Sequence, residues 1–472
     1  MKLKSFKNKN TWQRAALIAV VAVTLQSCFV AKDYKRPEFE QTEELYRTDN
    51  LPQDSLSMAD VSWKELFTDP YLVKYIEQGL ENNIDIRIAI QQMAAAEAYV
   101  KQGKAGFFPS LTGNASLTHQ ELSKNSQFGS LFSSLDQYEL SADLSWEADI
   151  WGKIRSNKRA YVASYLQSVA AHKAVKTQLI ANIVTTYYTL LSLDEQLRIT
   201  EATVENRKQS VTTIEALKEA GQQNQVAVDQ NAAQLYSAQA LVIDLKNSIF
   251  QAENTLALLL GEEPQTYERG VLADEKIETE LKVGVPSLLL RNRPDVMQAE
   301  YGLVNAFELT NVANASFYPS LTLTATGGLQ ALSLEDLIST NSLFATLVGG
   351  IAQPIFTRRQ IKTQYEVAQS QQEQALLSFE QTLLTAGKEV SESLYSYNAE
   401  VEKYEYLDLQ VQALTDAENN SQELLNNGLA NYLDLLTARE SRLSAELNLV
   451  DSKLNQLLAI VNLYQALGGG WK

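Results

Sequence analysis

His119, His172 and Cys28 are the only imidazoles and the only thiol in 472 residues. A structural zinc site of the Cys/His kind needs four such ligands and a disulfide needs two thiols, so neither can form within the chain. Cys–His catalysis would have to use Cys28, whose surroundings give it another task. Serine and carboxylate chemistry stay formally open. Acids outnumber bases by 57 to 40, a net charge of -17 that repels phosphate backbones and argues against a nucleic-acid partner.

Lys2, Lys4, Lys7, Lys9 and Arg14 precede an apolar run at 15–25 with no acid among them. That is a basic stretch followed by an 11-residue apolar one, too short to span a bilayer as a helix. Leu25-Gln26-Ser27-Cys28 then resembles the bacterial lipobox, in which a small residue precedes a cysteine that is acylated after cleavage. The alternative is a plain secretory signal with an incidental cysteine, but the sole cysteine of the chain stands where the lipobox requires one. Acyl chains there anchor a protein without a transmembrane helix, at ~0.8 kcal/mol for each buried CH₂. No cofactor is expected beyond this covalent lipid on Cys28. Loss of the five basic residues deepens the net charge from -17 to -22.

The remaining chain is written twice. Phe107-Phe108-Pro109-Ser110-Leu111-Thr112 returns 210 residues later as Phe317-Tyr318-Pro319-Ser320-Leu321-Thr322, and the same offset pairs Asn82 with Asn292 and Asp85 with Asp295. Gly221 pairs with Gly428 at an offset of 207. Each half holds two strand-like segments. From 111 to 118, Leu, Gly, Ala and Leu alternate with Thr, Asn, Ser and Thr, and 138–149 alternates likewise. Residues 321–326 repeat the pattern, while 343–352 is more uniformly apolar. A period of two gives a sheet with one apolar and one polar face. Aromatics at the ends, Phe107, Phe108, Trp151, Phe317, Tyr318 and Phe356, suit an outer-membrane barrel. A single such strand would suit a soluble sandwich better.

Missing residues mark the helices. Residues 153–220 contain neither glycine nor proline, and 358–427 hold only Gly387. An unbroken helix of that length measures ~100 Å at ~1.5 Å per residue. Breaks are expected at Gly221 and Gly428, with returning helices at 222–261 and 429–468. The 22 residues 85–106 and the 40-residue return together nearly match the long helix, so two shorter helices are expected end to end beside it.

Four strands cannot close a barrel, and an open edge cannot face lipid, because unpaired backbone groups there cost several kcal/mol. The chain must associate. Two copies give about eight strands with a filled interior, and three give about twelve with a lumen.

Several segments carry a family resemblance. Tyr34-Lys35-Arg36-Pro37, Trp63-Lys64-Glu65-Leu66-Phe67-Thr68-Asp69-Pro70, Asn82 with Asp85, Ser145-Trp146-Glu147-Ala148-Asp149-Ile150-Trp151-Gly152-Lys153-Ile154-Arg155, Arg293-Pro294-Asp295 and Gly428-Leu429-Ala430-Asn431-Tyr432-Leu433-Asp434-Leu435-Leu436 are similar to recurring segments of the TolC-like outer-membrane efflux proteins. The lipoprotein branch that serves resistance-nodulation-division pumps is the nearest match, over essentially the whole mature chain. The resemblance implies a mainly α fold with a small β part. Duplicated halves would supply long α-helical hairpins to a periplasmic tunnel and four strands to a trimeric transmembrane β-barrel. It implies a homotrimer in the outer membrane, extending into the periplasm and docking on a periplasmic adaptor and an inner-membrane pump. The expected duct is passive, exports drugs or other small toxic compounds, and is not an enzyme.

The resemblance also implies a layout. Residues 1–27 would be a lipoprotein signal peptide, 28–72 a lipidated extension, 73–264 the first repeat, 265–290 an equatorial connection, and 291–472 the second repeat. It implies a ring of carboxylates at the tunnel mouth from the acid six positions after the second tip glycine, here Asp434. Three such carboxylates repel one another and attract cations; the alternative is a solvated helix-surface aspartate. The first half departs from the pattern, with Ala227 at that position and Asp229 two further on. Gly221, Gln222, Gln223, Asn224, Gly428, Ala430, Asn431 and Tyr432 are the expected adaptor-facing tips. Two other functions fit the same segments less well: the duct of a type I protein-secretion system, and a trimeric coiled-coil surface lipoprotein.

Overall fold

A computed structural model of the chain describes residues 30–37, 45, 57–276 apart from Ser126, Phe128, Ser130 and Phe132, 288–429 and 431–472. Cys28 and the segment 1–27 lie outside the described residues, as do Ala430 and part of the 265–290 connection. In chain order the main elements are α1 (Pro70–Asn82), α2 (Ile84–Ala105), β1 (Ser110–Glu121), β2 (Ser134–Ala148), α3 (Lys153–Glu219) and α4 (Gln225–Leu260). They continue with α5 (Pro294–Ala315), β3 (Ser320–Ala331), β4 (Leu343–Ala352), α6 (Gln360–Asn426) and α7 (Tyr432–Ala466).

The scarcity of glycine and proline locates the long helices well. Both α3 and α6 run for 67 residues. They stop at Gly221 and Gly428, each with φ near 72°. The last carbonyls are closed identically: Gly221 N donates to Lys218 O (2.9 Å) and Gln222 N to Leu217 O (2.8 Å), as Gly428 N does to Leu425 O (3.0 Å) and Leu429 N to Leu424 O (2.8 Å). This is the left-handed cap that glycine adopts without a Cβ penalty. The returning helices start three residues later than the glycines suggest. Asn224 and Asn431 stand extended and serve as N-caps, which holds the preceding residues out of the helix. At its other end α6 begins at Gln360 because Arg358 and Arg359 have φ of 50° and 67°.

The chain divides into two compact units. One comprises Met1–Pro37, Met93–Ser168 and Ala299–Phe379; the other comprises Glu38–Gln92, Val169–Gln298 and Glu380–Lys472. The first unit contains an antiparallel sheet of order β1-β2-β3-β4, in which the β2–β3 pair joins strands from the two duplicated segments. Register puts like with like. Leu111, Leu144, Ala325 and Leu347 form one cross-strand row, and Ala115, Leu140, Leu329 and Leu343 another on the same face. That face is open, with Leu111 and Leu347 each 72% exposed. On the opposite face Thr112, Asp143, Thr326 and Thr346 align. Asp143 accepts from Asn114 Nδ2 and Thr326 Oγ1, both at 2.5 Å. The ladder continues beyond the alternating stretch to Glu121 and Ser134, because backbone pairing does not depend on an apolar pattern. Trp151 stacks on Tyr318 at 4.9 Å and donates to Pro319 O (2.7 Å), which fastens the strand ends of both halves.

In the second unit, Ile180, Ile183, Tyr187, Tyr188, Leu190 and Leu191 of α3 are fully buried, as are Leu72 and Ile76 of α1. Each such side chain contributes roughly 1.5–3 kcal/mol on burial. The expected end-to-end helix junction is present. Asn83 Oδ1 accepts from Asp85 N (2.9 Å) and Ile86 N (3.2 Å) at the start of α2, while Asn83 Nδ2 donates to Leu259 O (2.9 Å) at the end of α4. One amide thus satisfies unpaired groups of two helix ends. In the second half the corresponding residue is Arg293, which donates to Ala466 O (2.9 Å) at the end of α7 and pairs with Asp295 (2.6 Å) and Glu389 (2.7 Å). At Gly468 a Cβ would lie 2.5 Å from Asn292 O, so the abutment requires glycine as well as a φ of 90°.

Candidate functional site at the helix turns

The sequence singles out the turns between α3 and α4 and between α6 and α7. Nothing lies within 4 Å of a Cβ built on Gly221 or Gly428, so backbone conformation alone selects glycine at both. Gln222, Asn224 and Asn431 are exposed and Gln223 is half-buried. The exposed surface also includes three large apolar side chains, Val226, Leu429 and Leu433.

Beneath this surface, Ile214, Ala227, Val228, Tyr432 and Leu435 form a small apolar cluster that packs the two turns on each other. This corrects the placement of Tyr432. Expected on the outward face, its ring is buried, its hydroxyl bonds Asn231 Oδ1, and burial raises its phenol above the usual range. The helical spacing explains the change: Tyr432 and Leu435 are three residues apart on the inner side of α7. Ala227 belongs to the same cluster, so the first half turns inward at the position that corresponds to Asp434.

Asp434 itself is exposed, in the first turn of α7. Its Oδ2 accepts from Asn431 N (3.2 Å), and the Asn431 side chain accepts in return from the helix backbone, completing a capping box. The positive end of the helix dipole also favours a carboxylate there. Within one chain, Asp434 is therefore a helix cap with one carboxylate oxygen available to other partners.

Above the cluster, arginines tie the helices together. Arg207 is buried; its Nη1 donates to Gln234 O (2.5 Å) and Oε1 (2.9 Å), and its Nη2 lies 3.4 Å from Glu440. Arg439 donates to Ser210 Oγ (2.5 Å), Glu418 (3.1 Å) and Gln422 (2.9 Å), and Arg442 to Glu418 and Glu446, both at 3.0 Å. Sequence reasoning missed this network. Its available signal was the presence of arginines in helices otherwise dominated by alanine, leucine, glutamine and glutamate.

The segment that follows Cys28 is held firmly. Asn314 Nδ2 donates to Val30 O (3.3 Å), and Asn311 pairs with both backbone groups of Lys32, accepting from N (3.2 Å) and donating to O (3.0 Å). Arg36 forms a two-pronged pair with Glu300 (2.6 Å each), Asp33 lies 3.0 Å from Arg159, and Tyr34 meets Phe307 edge-on. Asn311 and Asn314 stand in the last turn of α5, just before β3. The strap thus ends beside the helix that enters the sheet.

Comparisons with known proteins agree with this geometry. The family model described as "Outer membrane efflux protein" matches residues 75–262 and 285–469. The chain is 28% identical to the "Probable outer membrane lipoprotein SilC" of Salmonella typhimurium, covering 96% of this chain and 98% of that protein. It is 30% identical to the "Solvent efflux pump outer membrane protein SrpC" of Pseudomonas putida, covering 89% of each. Among solved structures, the outer-membrane channel OprN superposes with a TM-score of 0.83 at 27% identity, over 93% of this chain and 99% of that one. The open state of the Neisseria gonorrhoeae MtrE channel gives 0.83 at 27% identity, over 94% and 98%. With its strands, helix turns and full length all matched, the chain belongs to the outer membrane efflux protein family and is an outer-membrane efflux channel.

Proposed function

We propose that three copies of this chain assemble into a passive duct that receives small toxic compounds from a periplasmic adaptor and an inner-membrane pump of the resistance-nodulation-division type. The observation that carries the reading is the open sheet. Its apolar face is solvent-exposed in the single chain, and β1 and β4 end its strand order. In lipid both edges need partners, which a neighbouring copy supplies by pairing β4 with β1. A second feature supports association: Tyr236, Ile243 and Phe250 stand exposed at seven-residue intervals along α4, a stripe suited to packing against another helix. The duct works without catalytic residues, cofactor or metal.

In this reading Cys28 carries the lipid and the strap at 30–37 fixes its position. The signal peptide occupies 1–27, the extension 28–72, the repeats 73–264 and 291–472, and the connection 265–290. Asp434 from three copies forms a cation-attracting ring, and Gly221 to Asn224, Gly428, Ala430 and Asn431 meet the adaptor together with exposed Leu429. Relatives named for cation efflux and for toluene efflux differ in cargo, so the proposal stays with small toxic compounds as a class.

The test is reconstitution of the full-length protein in planar bilayers. Discrete, cation-preferring conductance from a species of three chains is expected. A detergent-extracted monomer without conductance overturns the proposal. Metabolic labelling with a palmitate analogue tests the anchor: wild type should label, and equal labelling of Cys28→Ser refutes acylation there.

A further inference from the structure

Beyond β4, residues 353–359 lead into α6. Ile355 and Phe356 are 94% and 86% exposed. Arg358 and Arg359 follow, the only non-glycine residues with positive φ among those described. Glycine adopts this conformation freely and arginine does not, because its Cβ crowds the following carbonyl. The equivalent turn after β2 avoids the problem. There Gly152 takes the positive φ, Asp149 caps α3 by accepting from Ile154 N (2.8 Å) and Arg155 N (3.0 Å), and Trp151 is packed on Tyr318. The second turn instead keeps arginines at strained positions and leaves its apolar pair uncovered. Strain retained in this way points to a use for the side chains.

Charge and continuity identify that use. Arg359 and Lys362 share a single acid, Glu366, at 3.0 Å and 3.9 Å, and Arg358 has no partner among the described residues. The local surface is therefore cationic. Ile351, on the apolar face of β4, is exposed just before the turn. Along the chain the order is apolar sheet face, apolar pair, then cations, which matches a passage from acyl chains to headgroups. The turn stands where strands give way to helices, on the periplasmic side of the outer membrane.

We propose that residues 355–359 bind an anionic phospholipid of the periplasmic leaflet, with Ile355 and Phe356 among the acyl chains and Arg358 and Arg359 on the phosphate. The proposal rests on the sheet's apolar face meeting lipid.

The test measures displacement of a fluorescent phosphatidylglycerol from the full-length protein in neutral detergent, with phosphatidylcholine as control. Wild type should prefer phosphatidylglycerol and lose the preference at about 1 M salt. Arg358→Gly/Arg359→Gly suits the backbone better, so it should fold while binding phosphatidylglycerol about 30-fold more weakly. Arg358→Lys/Arg359→Lys should retain most of the affinity. Affinity of the glycine variant within twofold of wild type overturns the proposal, as does equally good displacement by inorganic phosphate. Quenching of Leu347→Trp by brominated lipid checks the underlying reading separately: no quenching removes the lipid-facing sheet, whereas quenching with unchanged phosphatidylglycerol preference removes only the headgroup site.

Discussion

Replacing Glu275 with glutamine should remove a pH dependence built into the inter-repeat connection. Glu275 is 8% exposed and faces Asp69, whose Oδ1 caps α1 by accepting from Tyr71 N (2.6 Å) and Leu72 N (3.0 Å) and whose Oδ2 accepts from Tyr187 Oη (2.7 Å). Tyr187 Oη in turn accepts from Gly270 N (3.0 Å), so this cluster pins the connection to α1 and α3. Burial, reinforced by the hydrogen bond to Asp69 and the charges of Asp69 and Asp274, pushes Glu275 up to about 8, while Lys453 acts in the opposite sense. Because the folded state holds this proton more tightly than the unfolded chain, the stabilisation is complete below the ordinary carboxylate range. It declines as pH rises and is gone above about pH 8. At ~1.4 kcal/mol for each tenfold change in proton affinity, the total is at most about 5 kcal/mol. Hydrogen exchange at the Gly270 amide, corrected for intrinsic rate, measures it locally. Protection in wild type should fall by up to about tenfold for each pH unit from 5 to 8, and Glu275→Gln should stay flat and exceed wild type at pH 8.5. A flat wild-type profile, or the same fall in the variant, refutes the reasoning.

Glycine substitutions should separate conformation from crowding. Gly428→Ala, with open space around its Cβ, should cost about 1–2 kcal/mol, whereas Gly468→Ala, which drives a Cβ into Asn292, should cost several more; thermal unfolding in detergent ranks them. Asn83→Ala leaves Leu259 O and two helix-start amides unpaired, so unfolding should become easier by about 2–3 kcal/mol, and a loss below ~0.5 kcal/mol contradicts the junction. Asp434→Asn keeps an oxygen able to accept from Asn431 N, so stability should change by less than about 0.5 kcal/mol. Single-channel recording of that variant should nevertheless show weaker cation preference and higher open probability; unchanged traces reduce Asp434 to a helix cap.

The parts of the fold that were legible in the sequence obey local rules. Gly221 and Gly428 end helices because left-handed backbone is a property of the residue itself, and the 111–118 alternation declares a two-faced sheet whatever it packs against. The N-cap roles of Asn224 and Asn431 were also local, yet the glycine breaks drew the boundary three residues early. What stayed hidden depends on distant partners. Tyr432 turns inward because Ile214 and Val228 from the other hairpin meet it, and nothing near Tyr432 in sequence announces them. Arg358 and Arg359 defeat a propensity argument outright, since neither residue favours the conformation it holds. The Asn311 clamp on Lys32 spans 279 positions and has no sequence signature at all.

The two helix junctions give the duplicated chain a mechanical asymmetry. Asn83 joins its helices through an uncharged amide, indifferent to dissolved ions. Arg293 joins the matching pair through a cation whose carboxylate partners, Asp295 and Glu389, are reached by solvent. Salt therefore acts on one joint and spares the other. Under load or rising ionic strength the second repeat should flex first, which gives a nearly symmetric chain a preferred end from which to bend.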